Sequence, residues 1–447
     1  MFSRIFGFIF LVFSAFVSLP VTAQDWGLTG TWEIVIPSSG TPPSGFAWHH
    51  PIAIGGQAIF AGNDTVTGLP TAFTFDVASS AWNQLPDIIN APSDIRAGPF
   101  MFAVGGIANL LTESNPNVLY YIDTANPFQN GWQIIQLPIA GPVLRMGQRF
   151  FDWGGVVYFF GGFDGTVMHN DMWGMDVSGV LNTQGNAGWE LIQPDNIPGL
   201  PSARIGYTFT PFNVIALMFG GVSLTSNAPV GSNPYQCGQV DFVAQGFCIF
   251  YQDVYGLLPG NQPPRQGSVA ATRWSQLPLA GANNGPVPTG RFEHAAGYLG
   301  DQLFIFGGLT ATGPTTELWA YNLHYQTWAL VQTTNPWPTN FYGTGLYLGY
   351  SFYVIGYTGA PGVRPDPTLP VQLWKWSPGG SNPPSNSNSD NTASMNAIAT
   401  GHTAGIVIGL LLGFANLGFL IILYRKIGGN VGGVSSSSIG DVYMAAA

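Results

Sequence analysis

Four arginines recur at one place in a repeating pattern. Pro142 and Arg145, Pro201 and Arg204, and Pro288 and Arg291 are each separated by 3 positions, and Pro92 and Arg96 repeat the arrangement with one extra residue. Phe46 and Phe341 take the matching positions near the two ends of the pattern. A guanidinium is a planar fork of donors suited to carboxylates. These are 4 of only 10 arginines in a chain of net charge -10, so their grouping favours an anion-facing site.

The remaining reactive side chains are sparse. Cys237 and Cys248 are the only cysteines. They are expected to form a disulfide that pins the long segment Val222 to Gln252, a length typical of binding loops. The histidines are His49, His50, His169, His294, His324 and His402, and they show no metal-ligand spacing. No phosphate-binding loop, nucleophile elbow or zinc-spaced cluster occurs. No catalytic residue, metal or cofactor is therefore expected, and the chain reads as a non-enzyme. Twelve basic residues against 22 acidic ones argue against nucleic acid as a partner.

The elements that position these residues are read from spacing. Arg145 to Gly161, Arg204 to Gly220 and Arg291 to Gly307 all span 16 positions. Gly162 to Trp173, Gly308 to Trp319 and Gly62 to Phe73 span 11, and Trp319 to Trp328 and Phe73 to Trp82 span 9. Weaker copies surround Gly105-Gly106 and Gly356. Each copy holds four apolar strands, the fourth marked by Trp82, Trp132, Trp189, Trp274 or Trp328. Trp32 stands alone at the start and fills the place missing from the last copy. Sixty glycines and 35 prolines supply the turns.

A double glycine after an apolar strand, then an aromatic, six residues and Trp (Tyr321 to Trp328, Phe75 to Trp82) resembles the kelch repeat. The resemblance implies an all-β fold: a six-bladed kelch-type β-propeller over residues 24–378, closed by the N-terminal strand. It further implies that first strands line a central channel, so Arg96, Arg145, Arg204, Arg291, Phe46 and Phe341 would ring one mouth as ligand-binding residues. In kelch domains that bind acidic peptides, arginines at similar positions take the ligand's carboxylates. The implied function is non-catalytic recognition of an extracellular protein or glycan through one loop face. The alternative on the same fold is an extracellular copper radical oxidase or another carbohydrate-acting enzyme. The oxidase needs two His, two Tyr and a Cys cross-linked to Tyr.

Flanking segments supply an address. Arg4, the apolar run from Ile5 to Val17, and small Ala23 have the layout of a signal peptide over residues 1–23. Residues 379–403 read as a Ser/Asn/Pro-rich stalk. Residues 404–424 carry no charge and are long enough for one transmembrane helix. Arg425 and Lys426 then place the tail, 425–447, in the cytoplasm. The expectation is a single-pass protein of the plasma membrane or secretory pathway. Gly405, Gly409 and Gly413 form a stripe for helix dimerisation, hence a possible homodimer. Asn63-Asp64-Thr65 is the N-glycosylation sequon.

Overall fold

The computed structural model describes residues 29–379 except 44–45, 49–50, 65–69, 88–99, 105–106, 113–114, 138–140, 143–144, 154–155, 178–188, 193–198, 213–214, 259–272, 280–284, 300–301, 324, 335–340, 349–350 and 359–371. All belong to one unit, Met1–Gly380; a second, Ser381–Ala447, lies outside the described residues. So do the expected signal peptide, the membrane segment with Gly405, Gly409 and Gly413, the tail, and the stalk beyond Gly379.

The described residues are mostly β-strand. Each strand follows from apolar, β-branched and aromatic runs bounded by glycine turns. Val156–Phe160 is buried on both faces, as its unbroken apolar sequence requires. It pairs antiparallel with Arg149–Trp153 and Met172–Asp176, and Glu190–Ile192 completes that sheet. Thr208–Phe212, Ile215–Phe219, Val254–Leu258 and Arg273–Leu277 form a sheet of the same order. Ala295–Leu299, Gln302–Phe306, Leu318–Asn322 and Thr327–Leu330 form another. The six tryptophans anticipated on outer strands, Trp32, Trp82, Trp132, Trp189, Trp274 and Trp328, are all buried. They fill apolar clusters between neighbouring sheets, such as Trp274 against Phe160 and Phe209.

The N-terminal strand Thr29–Ile34 pairs antiparallel with Gln372–Gly379, setting Trp32 opposite Trp376. Its other edge pairs in parallel with Gln332–Thr334. The sequence anticipates the first of these pairings; the second extends that sheet to five strands.

The expected architecture needs correction. The described residues make eight separate sheets of two to five strands, not six four-stranded blades in a closed propeller, and among them no closed barrel or propeller is formed. The physical reason is visible at Arg291. Glu293 adopts a left-handed φ of 54° and breaks the anticipated first strand. Arg291–Phe292 then joins Leu309–Thr310 and Gly313–Pro314 in a small sheet of its own. After Val222 the long insertion likewise folds back on itself, pairing Val222–Leu224 with Cys248–Phe250. Spacing fixed the hairpins but not which residues these extra ladders would capture. Among the described residues no helix is long and apolar enough to cross a membrane; the segment expected to do so, 404–424, is not among them.

Candidate interaction surface and the clamps beneath it

Arg145, Arg204 and Arg291 occupy equivalent positions and are buried. Each reaches back to the turn that ends a central strand. Arg145 donates to the carbonyl of Gly161, Arg204 to Gly220 and Arg291 to Gly307, at 2.9–3.1 Å. Each then pairs with an acid of its own repeat. Arg145 grips both oxygens of Asp171, and Arg204 both oxygens of Asp253 at 2.5 and 3.0 Å. Arg291 meets Glu317 at 2.8 Å. The acid's backbone carbonyl accepts the N–H of the same glycine, closing the loop.

The paired glycines permit this close approach. Gly161, Gly220 and Gly307 have φ of 65°, 69° and 68°. A Cβ on Gly220 would lie 2.6 Å from the carbonyl oxygen of Arg291.

Burial opposes ionisation of Asp171 and Glu317, but the opposing hydrogen bonds outweigh it. For Asp171 these come from Arg145 and Trp173, for Glu317 from Trp319 and Arg291, and both carboxyls sit below their ordinary values. Burial draws the Arg291 guanidinium below its usual value, with Glu317 opposing.

Three of the four guanidinium forks that the sequence directs at an acidic ligand, those of Arg145, Arg204 and Arg291, are thus paired with acids of the chain itself. Arg96 lies outside the described residues, as do the side chains of Phe46 and Phe341, although the backbone places Phe46 opposite Asp64 and Phe341 opposite Thr358. The side chain of Asn63 is likewise outside them; its backbone lies in the strand Gln57–Asp64.

Two features escaped the sequence reading. The clamp acids stand two residues before the third-strand aromatic, as Asp171-Met-Trp173, Asp253-Val-Tyr255 and Glu317-Leu-Trp319. That acid-x-aromatic signal could have identified them. The indoles of Trp173 and Trp319 donate to these acids at 2.8 and 3.0 Å. Second, Arg149 bonds both oxygens of Glu293 at 2.8 and 2.9 Å, across a long sequence separation. Nothing local in the sequence marks that pair. Beside it, His294 is wholly buried and bonds Thr208 at 2.8 Å. Burial, with Arg291 and Arg149 nearby, holds His294 well below its ordinary value and therefore neutral.

Above the clamps lies the insertion. Cys237 and Cys248 form the expected disulfide, with Cα atoms 5.9 Å apart. Asn233 caps a short 3-10 turn, Pro234–Gly238, in a reciprocal capping box with Gln236, and the helix Val240–Ala244 follows. The inner face packs Val222, Cys237 and Phe250 against Phe163, Ile205 and Phe292, which belong to three successive repeats. Tyr251 ties the insertion to the clamps. Its ring centroid lies 3.8 Å from the Arg204 guanidinium, its hydroxyl bonds Ser223 at 2.9 Å, and its carbonyl accepts from the N–H of Arg291 at 3.1 Å. The outer face leaves Val230, Val240 and Ile249 exposed, beside a single charge, Asp241, while Tyr235, partly exposed, turns its hydroxyl towards Gly147.

Among the described residues no group of three or more His, Cys, Asp or Glu could hold a metal ion. His169 bonds Asp164 at 2.8 Å, while His49, His50, His324 and His402 lie outside the described residues. Both cysteine sulfurs are in the disulfide, leaving neither to cross-link a tyrosine.

No family model matches the chain. A stretch of 65 residues, 14% of the chain, is 43% identical to multiple epidermal growth factor-like domains protein 8 of Mus musculus. The proteins of that name from Homo sapiens and Rattus norvegicus match over the same length at the same identity. The chain covers 2% of these relatives' length.

Proposed function

We propose that this chain is a non-catalytic binding protein that works outside the cytosol and recognises a protein or glycan through the face bearing the insertion Val222–Phe250. One observation carries the reading: the insertion is anchored on its inner side by packing and a disulfide yet keeps Val230, Val240 and Ile249 exposed on its outer side. A segment serving only to cover the sheets would not need an apolar outer surface. A fixed surface loses little conformational entropy on binding. Arg145, Arg204 and Arg291 are committed to internal pairs with Asp171, Asp253 and Glu317. The disulfide supports an oxidising compartment. The similarity to a protein named for epidermal growth factor-like domains is in keeping with that address.

The test is a screen of the purified chain against a glycan array and a display library of extracellular proteins. Binders are expected to weaken at least tenfold with Val230→Asp or Val240→Asp, a loss of about 1.4 kcal/mol. Binding indifferent to both changes would remove the insertion from the site. Stoichiometric copper, with peroxide released from sugars or alcohols, would replace binding with oxidase chemistry.

A further inference from the structure

Among the described residues the apolar clusters divide unevenly with respect to the insertion. Six of them are assembled without any residue from Val222 to Tyr251. Only the seventh draws on it. The insertion's own regular structure is slight: a turn of 5 residues, a helix of 5 and a two-stranded ladder. Helices of that length do not hold themselves in water, and an isolated hairpin is marginal. The disulfide, with a sequence separation of 11, closes within this segment and crosses to no main sheet.

We propose that the Cys237–Cys248 disulfide is a redox-sensitive latch on this outer layer alone. Reduction loosens the binding face and leaves the sheets folded. The biological meaning rests on the function proposed above, but the latch does not. The reductant is a soluble dithiol. Its thiolate attacks Sγ of Cys248, the half-buried residue of the pair, while Cys237 is 1% exposed. The S–S bond breaks, and Cys237 leaves as a thiolate and takes up a proton. The reductant's second thiol then displaces Cys248. Two electrons pass to the protein, giving two cysteine thiols and one disulfide on the reductant. Without the cross-link, the segment regains the loop-closure entropy that it had lost.

Hydrogen exchange of the full chain, oxidised and dithiol-reduced, tests the latch without any partner. Amides of residues 232–250 are expected to lose protection on the order of 100-fold. The strands Val156–Phe160 and Gln302–Phe306 should keep theirs. The double variant Cys237→Ala with Cys248→Ala should reproduce the reduced pattern. Simultaneous loss across the strands would make the disulfide a staple of the whole fold and overturn the proposal. Unchanged protection in residues 232–250 would overturn it as well, assigning their order to packing. If exchange follows the latch but Val240→Asp leaves binding intact, only the functional reading falls.

Discussion

Beside the turns that end three central strands, Arg145, Arg204 and Arg291 repeat one arrangement, each guanidinium between a glycine carbonyl and a carboxylate. The insertion above them occurs once, carries a single charge and turns apolar side chains outward. Repetition and burial go with a duty each repeat must perform, joining the turn after its central strand to the start of its third. The insertion has no counterpart in the other repeats, and its exposed apolar side chains are not needed to join strands. In this chain buried charged residues belong to the framework, and the insertion's surface is nearly uncharged.

The sharpest way to break that contrast is at Arg204. It is fully buried, and its partner Asp253 is only 15% exposed. Arg204→Met should cost about 3–5 kcal/mol in urea unfolding, because a desolvated carboxylate loses its counter-charge. Adding Asp253→Leu should recover most of the loss. Arg291→Met should cost less, roughly 1–3 kcal/mol, since Glu317 is 42% exposed and can rehydrate. Equal losses at the two sites would mean that burial does not set the strength of the clamps.

Asp152 sharpens the contrast from the other side, as a carboxyl without a clamp. Burial raises it to about 6 despite a hydrogen bond from its own backbone N–H. The folded state therefore holds its proton more tightly than the unfolded chain does. Its contribution is most favourable below pH ~4 and declines as pH rises towards 6, then stays unfavourable. Asp152→Asn should stabilise the chain by roughly 1–3 kcal/mol at pH 7 and leave stability near pH 3.5 unchanged. Paired denaturation curves at the two pH values check the sign.

Glu293 combines an ion pair with a backbone that its type disfavours. Glu293→Ala should cost about 1–2 kcal/mol. Glu293→Gly should cost about 1 kcal/mol less than that, because glycine relieves the left-handed φ. The smallest effect is expected on the outer face. Val240→Ser should shift stability by no more than about 0.5 kcal/mol while weakening the partner's hold.

Much of the strand content was legible because glycine pairs, arginines and tryptophans recur at fixed separations. The disulfide was legible because two cysteines allow a single intramolecular pairing. The buried state of Trp82 and Trp328 also followed from their place opposite an aromatic on the preceding strand. The sheet count was not legible. It turns on Glu293 leaving the extended region and on a short ladder between Val222 and Cys248, neither of which has a periodic signature. The internal partners of the arginines were not legible for a related reason. Spacing located Arg145 and Arg291 but is blind to side-chain direction, and their acids lie 26 residues further on. Arg149 and Glu293 are 144 residues apart, beyond the reach of any local pattern.

The placement of Thr29–Ile34 between Gln332–Thr334 and Gln372–Gly379 imposes an order on the birth of the molecule. Thr31 meets Thr334, 303 residues later, through a hydroxyl contact of 2.8 Å. At synthesis rates of about 5–20 residues per second, the first strand waits roughly 15–60 s for its neighbours to emerge. Throughout that interval both its edges are open to any passing strand, so the nascent chain needs shelter at its start long before its end exists.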